Sequence, residues 1–102
     1  MKIDILGHNY KLQEVDDTIT DFGQVNNLKG IIQVMSELRD SLKGETLIHE
    51  LLEAVNFWGD LHLDHHQICI LGTFWWGLLS QNIELEEFLH ELIRRTNEQR
   101  TT

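Results

Sequence analysis

The sequence predicts an α+β fold, with a small N-terminal antiparallel β-sheet of three to four strands followed by three helices. Up to residue 35, apolar and polar residues alternate over short segments, as they do in half-buried strands. From residue 36 onward, apolar residues recur at the spacing of amphipathic helices. Strands that precede helices in this way are typical of the α+β class. A length of 102 residues allows one domain, with a sheet part at 1–35, a helical part at 36–97 and a frayed tail at 98–102.

Two alternating runs at the N-terminus predict a β-hairpin. They span residues 2–6 and 10–15, and the Gly-His-Asn segment between them has the glycine and asparagine that tight turns favour. The polar segment 16–18 is predicted to end the second strand. The apolar run 30–35 predicts a third strand on this hairpin, and Gln24 with Val25 would add a short fourth.

The first two helices are predicted from their apolar stripes and caps. Residues 46–58 carry one apolar stripe and end at Gly59, a C-cap residue type. Asp64 would cap the second helix. That helix is apolar on nearly all sides, which predicts that it is central and largely buried.

The third helix follows Asn82 and has an acidic start and a basic end that complement the helix dipole. Its predicted apolar face is formed by Leu85, Phe88, Leu89, Leu92 and Ile93. Among the tryptophans, Trp58 and Trp75 fit the core stripes of their helices, whereas Trp76 does not. Trp76 would close a cleft, belong to an exposed binding patch or simply fill the core. The oligomeric state stays open.

A formal net charge of −9 restricts the class of partner. This charge repels phosphate backbones and anionic lipid, so we predict neither nucleic-acid nor membrane binding, and a protein partner or peptide substrate instead. The most apolar segment, residues 68–79, is too short to span a bilayer, and no signal peptide is visible, so the predicted location is cytoplasmic. The single cysteine, Cys69, excludes an internal disulfide and is predicted to be a small buried hydrophobe.

One short motif carries candidate chemistry. His49 and Glu53 are four residues apart, so on a helix both side chains can reach one metal ion, as in the H-E-x-x-H motif of zinc peptidases. Glu53 stands in place of the second histidine, and a carboxylate is also a zinc ligand. Glu50 would then be the general base. The alternative is that these residues form the solvated polar face of an amphipathic helix.

The motif lies within a longer pattern that resembles the small zincin-like proteins of phages and prophages, relatives of the ImmA/IrrE metallopeptidase group. The strongest part is residues 45–56, which match the family's E-T-L-x-H-E-[IL]-[IL]-[HE]-A-[IV]. The hairpin segment 5–10, the strands within 23–34 and the helix within 63–79 resemble the family as well. The resemblance implies a zincin-like fold, a zinc cofactor and peptidase chemistry.

The resemblance also implies a third ligand on the second helix. In the family this ligand is a glutamate, and the aligned position here is Thr73, which is a poor zinc ligand. His66 is seven residues from Thr73 and hence on the same helix face, so we predict His66 as the substitute, with His65 as its alternative. Loop residues His62 and Asp60 are further candidates. The competing interpretation of His65 and His66 is that they are polar residues of the first helical turn.

Two functions follow from these features. The first is a phage-type zinc metallopeptidase-like protein that uses His49, Glu50 and Glu53. The second is a catalytically inactive acidic module that binds and regulates a basic host or phage protein, because the expected third ligand is replaced by Thr73. The remaining alternative is a structural or accessory protein without metal, in which His49 and Glu50 have no role. Metal content distinguishes the first function from the other two alternatives.

Overall fold

The computed structural model describes residues 1–16 and 21–100. Four strands precede three helices, which confirms the predicted α+β class. Asp17 and Thr18, predicted to end the second strand, lie outside the described residues. The strands are β1 (Lys2–Ile5), β2 (His8–Val15), β3 (Gly23–Asn26) and β4 (Ile31–Met35), and the helices are α1 (Asp40–Gly59), α2 (His65–Gln81) and α3 (Ile83–Arg100).

The sheet has the strand order β1-β2-β4-β3, and one of its pairings corrects the antiparallel prediction. β1–β2 and β3–β4 are antiparallel, but β4 lies between β2 and β3 and runs parallel to β2. The reason is the chain path. The connection after β2 leads to the far edge of the sheet, and a tight turn after β3 returns β4 into the gap.

Gly30 makes that return possible. Its φ of 68° lies in the left-handed region, and an added Cβ would come within 2.6 Å of the Asn9 carbonyl oxygen. The Gly30 carbonyl accepts a hydrogen bond from the Lys11 amide at 2.8 Å, which ties the turn to β2. A larger residue at position 30 would therefore disturb the central strand pair.

The turn of the first hairpin begins one residue earlier than predicted and is one residue shorter. Leu6 and Gly7 have φ values of 50° and 84°, and Ile5 pairs directly with His8. His8 and Asn9 thus belong to β2 rather than to the turn. A two-residue loop with positive φ at both positions matches the twist of the paired strands, which explains why the turn closes here.

The core lies between one face of the sheet and the predicted apolar stripe of α1. Strand register puts Ile5, Tyr10 and Ile32 on this face, and all three are buried against Ala54 of α1. Trp58 also packs here, which confirms its predicted place in the core, and its Nε1 donates a hydrogen bond to the Tyr10 hydroxyl at 2.6 Å.

The ends of α1 and α2 show which caps form. Gly59, the predicted C-cap, is the last residue of α1, and the C-cap is Asp60. Asp60 has a left-handed conformation with φ 50°, and its amide donates a hydrogen bond to the Asn56 carbonyl. Aspartate tolerates this conformation better than most residues. The predicted cap Asp64 is confirmed, and it forms a reciprocal capping box with Gln67.

The prediction that α2 is largely buried is wrong for the described chain. Only Ile68 and Gly72 of this helix are buried. Trp75, predicted to lie in the core, is exposed, whereas Trp76 is half-buried against Gly44 of α1. One side of α2 packs on α1, and α3 covers little of the remainder, so apolar residues on its other sides meet solvent.

α3 continues further than predicted. Residues 98–100 are helical instead of frayed, and 101–102 lie outside the described residues. Arg94 forms ion pairs with Glu91 and Glu98, which support the last turns of the helix. No helix in the described ranges combines the length and apolarity that crossing a membrane requires.

Candidate metal centre

The centre forms where α2 crosses the middle of α1. A Cβ added at Gly72 would contact the His49 backbone at 3.6 Å, so a side chain larger than alanine would push the two helices apart. Cys69 precedes Gly72 by one helical turn, and His65 lies one turn earlier still. Close packing at Gly72 therefore brings two potential ligands from α2 to His49.

Three ligating atoms converge at this crossing. The Cys69 Sγ lies 3.8 Å from His49 Nδ1 and 3.4 Å from His65 Nε2. All three atoms lie within 4.8 Å of one another. Ligands of a tetrahedral zinc ion are about 3.3–3.6 Å apart, because zinc bonds are about 2.0 Å to nitrogen and 2.3 Å to sulfur. Small side-chain adjustments would bring this set to zinc-binding geometry.

Glu53 contacts the other nitrogen of the His49 ring. Its Oε1 lies 3.5 Å from His49 Nε2. If His49 binds a metal through Nδ1, Glu53 can accept a hydrogen bond from Nε2–H and fix the ring, as carboxylates do around many zinc sites. A metal between Nε2 and Glu53 is the arrangement predicted from the motif. The structure places Glu53 beside Nε2 of His49 and Cys69 beside Nδ1. Among the described residues, only the Nδ1 side gains ligands from a second helix.

Glu50 is the buried acid of the site. It is 8% exposed and makes no hydrogen bond or ion pair within residues 1–16 and 21–100. Its pKa is raised from 4.5 to about 7, chiefly by burial and then by the nearby carboxylates of Glu53 and Asp21. Burial and both neighbouring carboxylates disfavour the ionised form, so Glu50 gains or loses its proton near neutral pH.

An open cleft of about 380 Å³ gives access to these groups. It runs between the start of β3 and α1, and its lining consists of Asp21, Phe22, Gly23, Glu45, Thr46, His49, Glu50 and His65. Gly23 has to be small here, because an added Cβ would lie 2.7 Å from a Thr46 methyl and 3.2 Å from Glu50 Cγ. Among the described strands β3 lies at the edge of the sheet, so the side of its backbone away from β4 has no strand partner there.

Other predicted residues lie apart from the three-ligand group. Thr73, at the position of the family's third ligand, donates a hydrogen bond to Glu45 at 2.6 Å. His66 is exposed in the first turn of α2, and its neighbour His65 takes the place facing His49. In the preceding loop, His62 and Asp60 are exposed and contact each other at 3.3 Å.

Cys69 is the site residue that sequence reasoning missed. It was predicted to be a buried hydrophobe, yet it is half-buried between two histidines. The available signal was the four-residue spacing of His65 and Cys69, which repeats on α2 the spacing of His49 and Glu53 on α1. Comparisons with protein-family models, with curated proteins and with solved structures found no match, so the chain's own geometry carries any assignment of function.

Proposed function

We propose that the chain is a zinc-dependent hydrolase of the peptidase type, related to the zincin-like phage and prophage proteins that its motif resembles. The observation that carries this proposal is the convergence of His49, His65 and Cys69 beside the buried Glu50. Histidine and cysteine are the side chains that zinc prefers, and three protein ligands leave a fourth position open, as catalytic sites require. In this arrangement Cys69 supplies the ligand that Thr73 cannot.

Glu50 is the residue that we assign to proton transfer. Its carboxyl lines the same cleft as His49 and His65, with its pKa raised to about 7 chiefly by burial. A group with such a pKa can accept a proton from an attacking water and deliver it to the leaving amine at neutral pH. Zinc, when bound, supplies a Lewis acid that polarises a carbonyl group and acidifies water.

The cleft favours an extended peptide with a positive charge. The free edge of β3 offers backbone hydrogen bonds to an added strand. Asp21 and Glu45 add carboxylates to the lining, and the chain as a whole carries a net charge of −9. We therefore expect a substrate with lysine or arginine close to the scissile bond.

The first test is zinc content by elemental mass spectrometry on protein purified without chelator or metal-affinity tag. We expect about one zinc per chain, lost in His49→Ala and in Cys69→Ser, since each change leaves too few ligands. Glu53→Gln would keep zinc with an affinity about 10- to 100-fold weaker, as expected of an outer partner. His66→Ala is the matched histidine control and would keep full occupancy. Wild-type protein that takes up no zinc would overturn the proposal.

The second test is cleavage of a peptide library that contains lysine and arginine. Glu50→Gln would abolish cleavage while zinc content stays at the wild-type level, because the substitution removes the base and no ligand. Equal cleavage by Glu50→Gln and wild type would contradict the assigned role of this residue.

The acidic surface favours a second function, an inactive module that binds a basic protein. The net charge of −9 and the replacement of the expected ligand by Thr73 both support it. This function predicts binding of a basic partner that weakens steeply between low and high salt and does not change when zinc is removed. A zinc-free wild type that still binds such a partner would favour this alternative.

A further inference from the structure

The helix α3 has an apolar face that the described chain leaves largely exposed, with only Leu85 and Leu89 half-buried. None of its 18 residues is buried. Phe88 and Ile93 are each 57% exposed and Leu92 is 40% exposed. Together with Leu85 and Leu89 they follow the three- and four-residue spacing of one helical stripe.

A helix in this situation gains little stability from its own chain. Isolated helices of this length are marginal in water, and most helical stability in proteins comes from packing an apolar face. α3 is joined to α2 through Asn82 alone, and the two helices meet at a groove lined by Trp76, Leu79 and Ile83 near that junction. The apolar residues from Phe88 onward lie beyond this groove, and they can be buried only against a surface outside the described chain.

The charges of α3 are arranged asymmetrically along the helix. Its first half carries Glu84, Glu86, Glu87 and Glu91, whereas its second half carries Arg94, Arg95 and Arg100 together with Glu98. Arg94 and Arg95 also form ion pairs with Glu91 within the helix, so the first half is strongly acidic and the second half is basic by a smaller margin. These three arginines are a large share of the eight basic residues of an otherwise acidic chain. A second α3 that lies antiparallel would set acidic turns against basic turns at both ends, whereas a parallel one would oppose like charges.

We propose that a second copy of this chain covers α3, through an antiparallel pairing of the two α3 helices about a twofold axis. Glu84 and Arg95 are eleven residues apart, so they lie on the same flank of the apolar stripe. In an antiparallel pair the same flanks meet, and Glu84 of each copy faces Arg95 of the other. The leucine and phenylalanine side chains form the buried seam between them.

The expected dimer is of modest affinity. α3 is about 27 Å long at 1.5 Å per residue. Stable interfaces bury about 800 Å² on each partner, and one helix of this length lies at the lower end of that range. The remaining surface of each copy is acidic, so its repulsion also opposes association. The pairing should therefore dissociate on dilution.

The test is sedimentation equilibrium of the full chain over a range of micromolar concentrations. We expect wild type to dimerise and Leu92→Glu to be monomeric, because the new charge would lie in the apolar seam. His90→Glu adds the same charge to the polar face of α3 and serves as the matched control, which should remain dimeric. Helical content from circular dichroism checks that each variant is folded, and Ile93→Glu provides a second change to the seam. A monomeric wild type, or a dimeric Leu92→Glu, would overturn the proposal.

Charge reversal tests the orientation. One variant carries Glu84→Arg with Glu86→Arg, and the other carries Arg95→Glu with Arg100→Glu. In an antiparallel homodimer of either variant, like charges would face each other across the interface, so we expect each variant to dimerise about tenfold more weakly than wild type. Mixing the two variants should restore dimerisation to the wild-type affinity, because opposite charges face each other in the heterodimer. If each variant alone dimerises as well as wild type, the antiparallel arrangement is excluded.

Discussion

At the scale of single residues, the burial of Glu50 opposes folding at neutral pH. The folded-state pKa of about 7 lies above the ordinary value of 4.5. Above pH 7 Glu50 is ionised in both states. In the folded protein the buried charge costs free energy, whereas in the unfolded chain the carboxylate is fully hydrated. Below pH 4.5 both states hold the proton and the cost vanishes. Functional acids are often kept at such a cost to stability.

We predict that Glu50→Gln stabilises the metal-free protein at high pH. The free energy of unfolding at pH 8 should rise by about 2 kcal/mol, since a pKa unit corresponds to about 1.4 kcal/mol and the cleft is partly open to water. At pH 4 the difference should disappear. Urea denaturation in the presence of chelator measures both values, and the exposed Glu87→Gln is the control. A Glu50→Gln protein that is less stable than wild type at pH 8 would contradict this account.

The candidate site could be predicted only in part from its residues. The i, i+4 spacing identified His49 and Glu53 and put Glu50 between them, and the structure brings these three together. Cys69 was not predicted, because its apolar sequence neighbours indicate a core position. Which histidine of the adjacent pair faces α1 depends on the rotation of α2, which the helix crossing sets and local sequence does not.

At the scale of elements, α1 and α2 each contain a glycine whose surroundings differ sharply from those of the other. A Cβ at Gly44 of α1 would overlap the ring of Trp76 on α2, which is half-buried there. A Cβ at Gly77 of α2 would have nothing within 4 Å. A substitution at position 77 therefore tests helix propensity alone, whereas the same substitution at position 44 also tests packing against Trp76.

We predict opposite effects for alanine at these two positions. Gly77→Ala should raise the free energy of unfolding by about 0.5–1 kcal/mol, because alanine restricts the unfolded chain and favours the helix. Gly44→Ala gains the same propensity but forces Trp76 away, at a cost of about 1–3 kcal/mol, so we expect net destabilisation. Thermal unfolding followed by circular dichroism compares the two. Equal stabilisation by both substitutions would show that Trp76 moves aside freely.

The strands and helices follow from sequence pattern more readily than their arrangement does. Alternation predicted β1 and β2, the apolar run 30–35 predicted β4, and Gln24 with Val25 were expected to add the short β3. The predicted apolar stripe of α1 is the face that packs on the sheet. The parallel pairing of β2 with β4 was not predicted, because it depends on a connection that skips one strand position. The exposure of α2 was not predicted either, since an all-round apolar helix usually has neighbours on every side.

At the scale of the whole molecule, zinc would link a helix that packs on the sheet to one that, in the described chain, packs on that helix but not on the sheet. α1 packs on the sheet, whereas α2 packs on α1, and the proposed ligands belong to both helices. Binding at this crossing stabilises the folded state relative to the unfolded chain by mass action.

We predict that zinc raises the melting temperature of the wild type. At zinc concentrations about 100-fold above Kd, the added stability is about 2.7 kcal/mol. In a protein of this size this corresponds to roughly 10 °C or more. The measurement is thermal unfolding of metal-free protein with and without zinc, and Cys69→Ser should show little of the increase. The same shift in Cys69→Ser would mean that zinc binds elsewhere, such as the motif pair His49 and Glu53.

The strand order also has a consequence for how the chain folds during synthesis. The strands all come from the first 35 residues, and the pairing of β2 with β4 joins positions only 20 residues apart. Such local topology favours fast assembly, so we expect the sheet to form while α1 is still being translated. Ile32, which is fully buried in the folded protein, then stays accessible to solvent or to a chaperone until Trp58 has left the ribosome. That interval is the point at which the nascent chain is most exposed to aggregation.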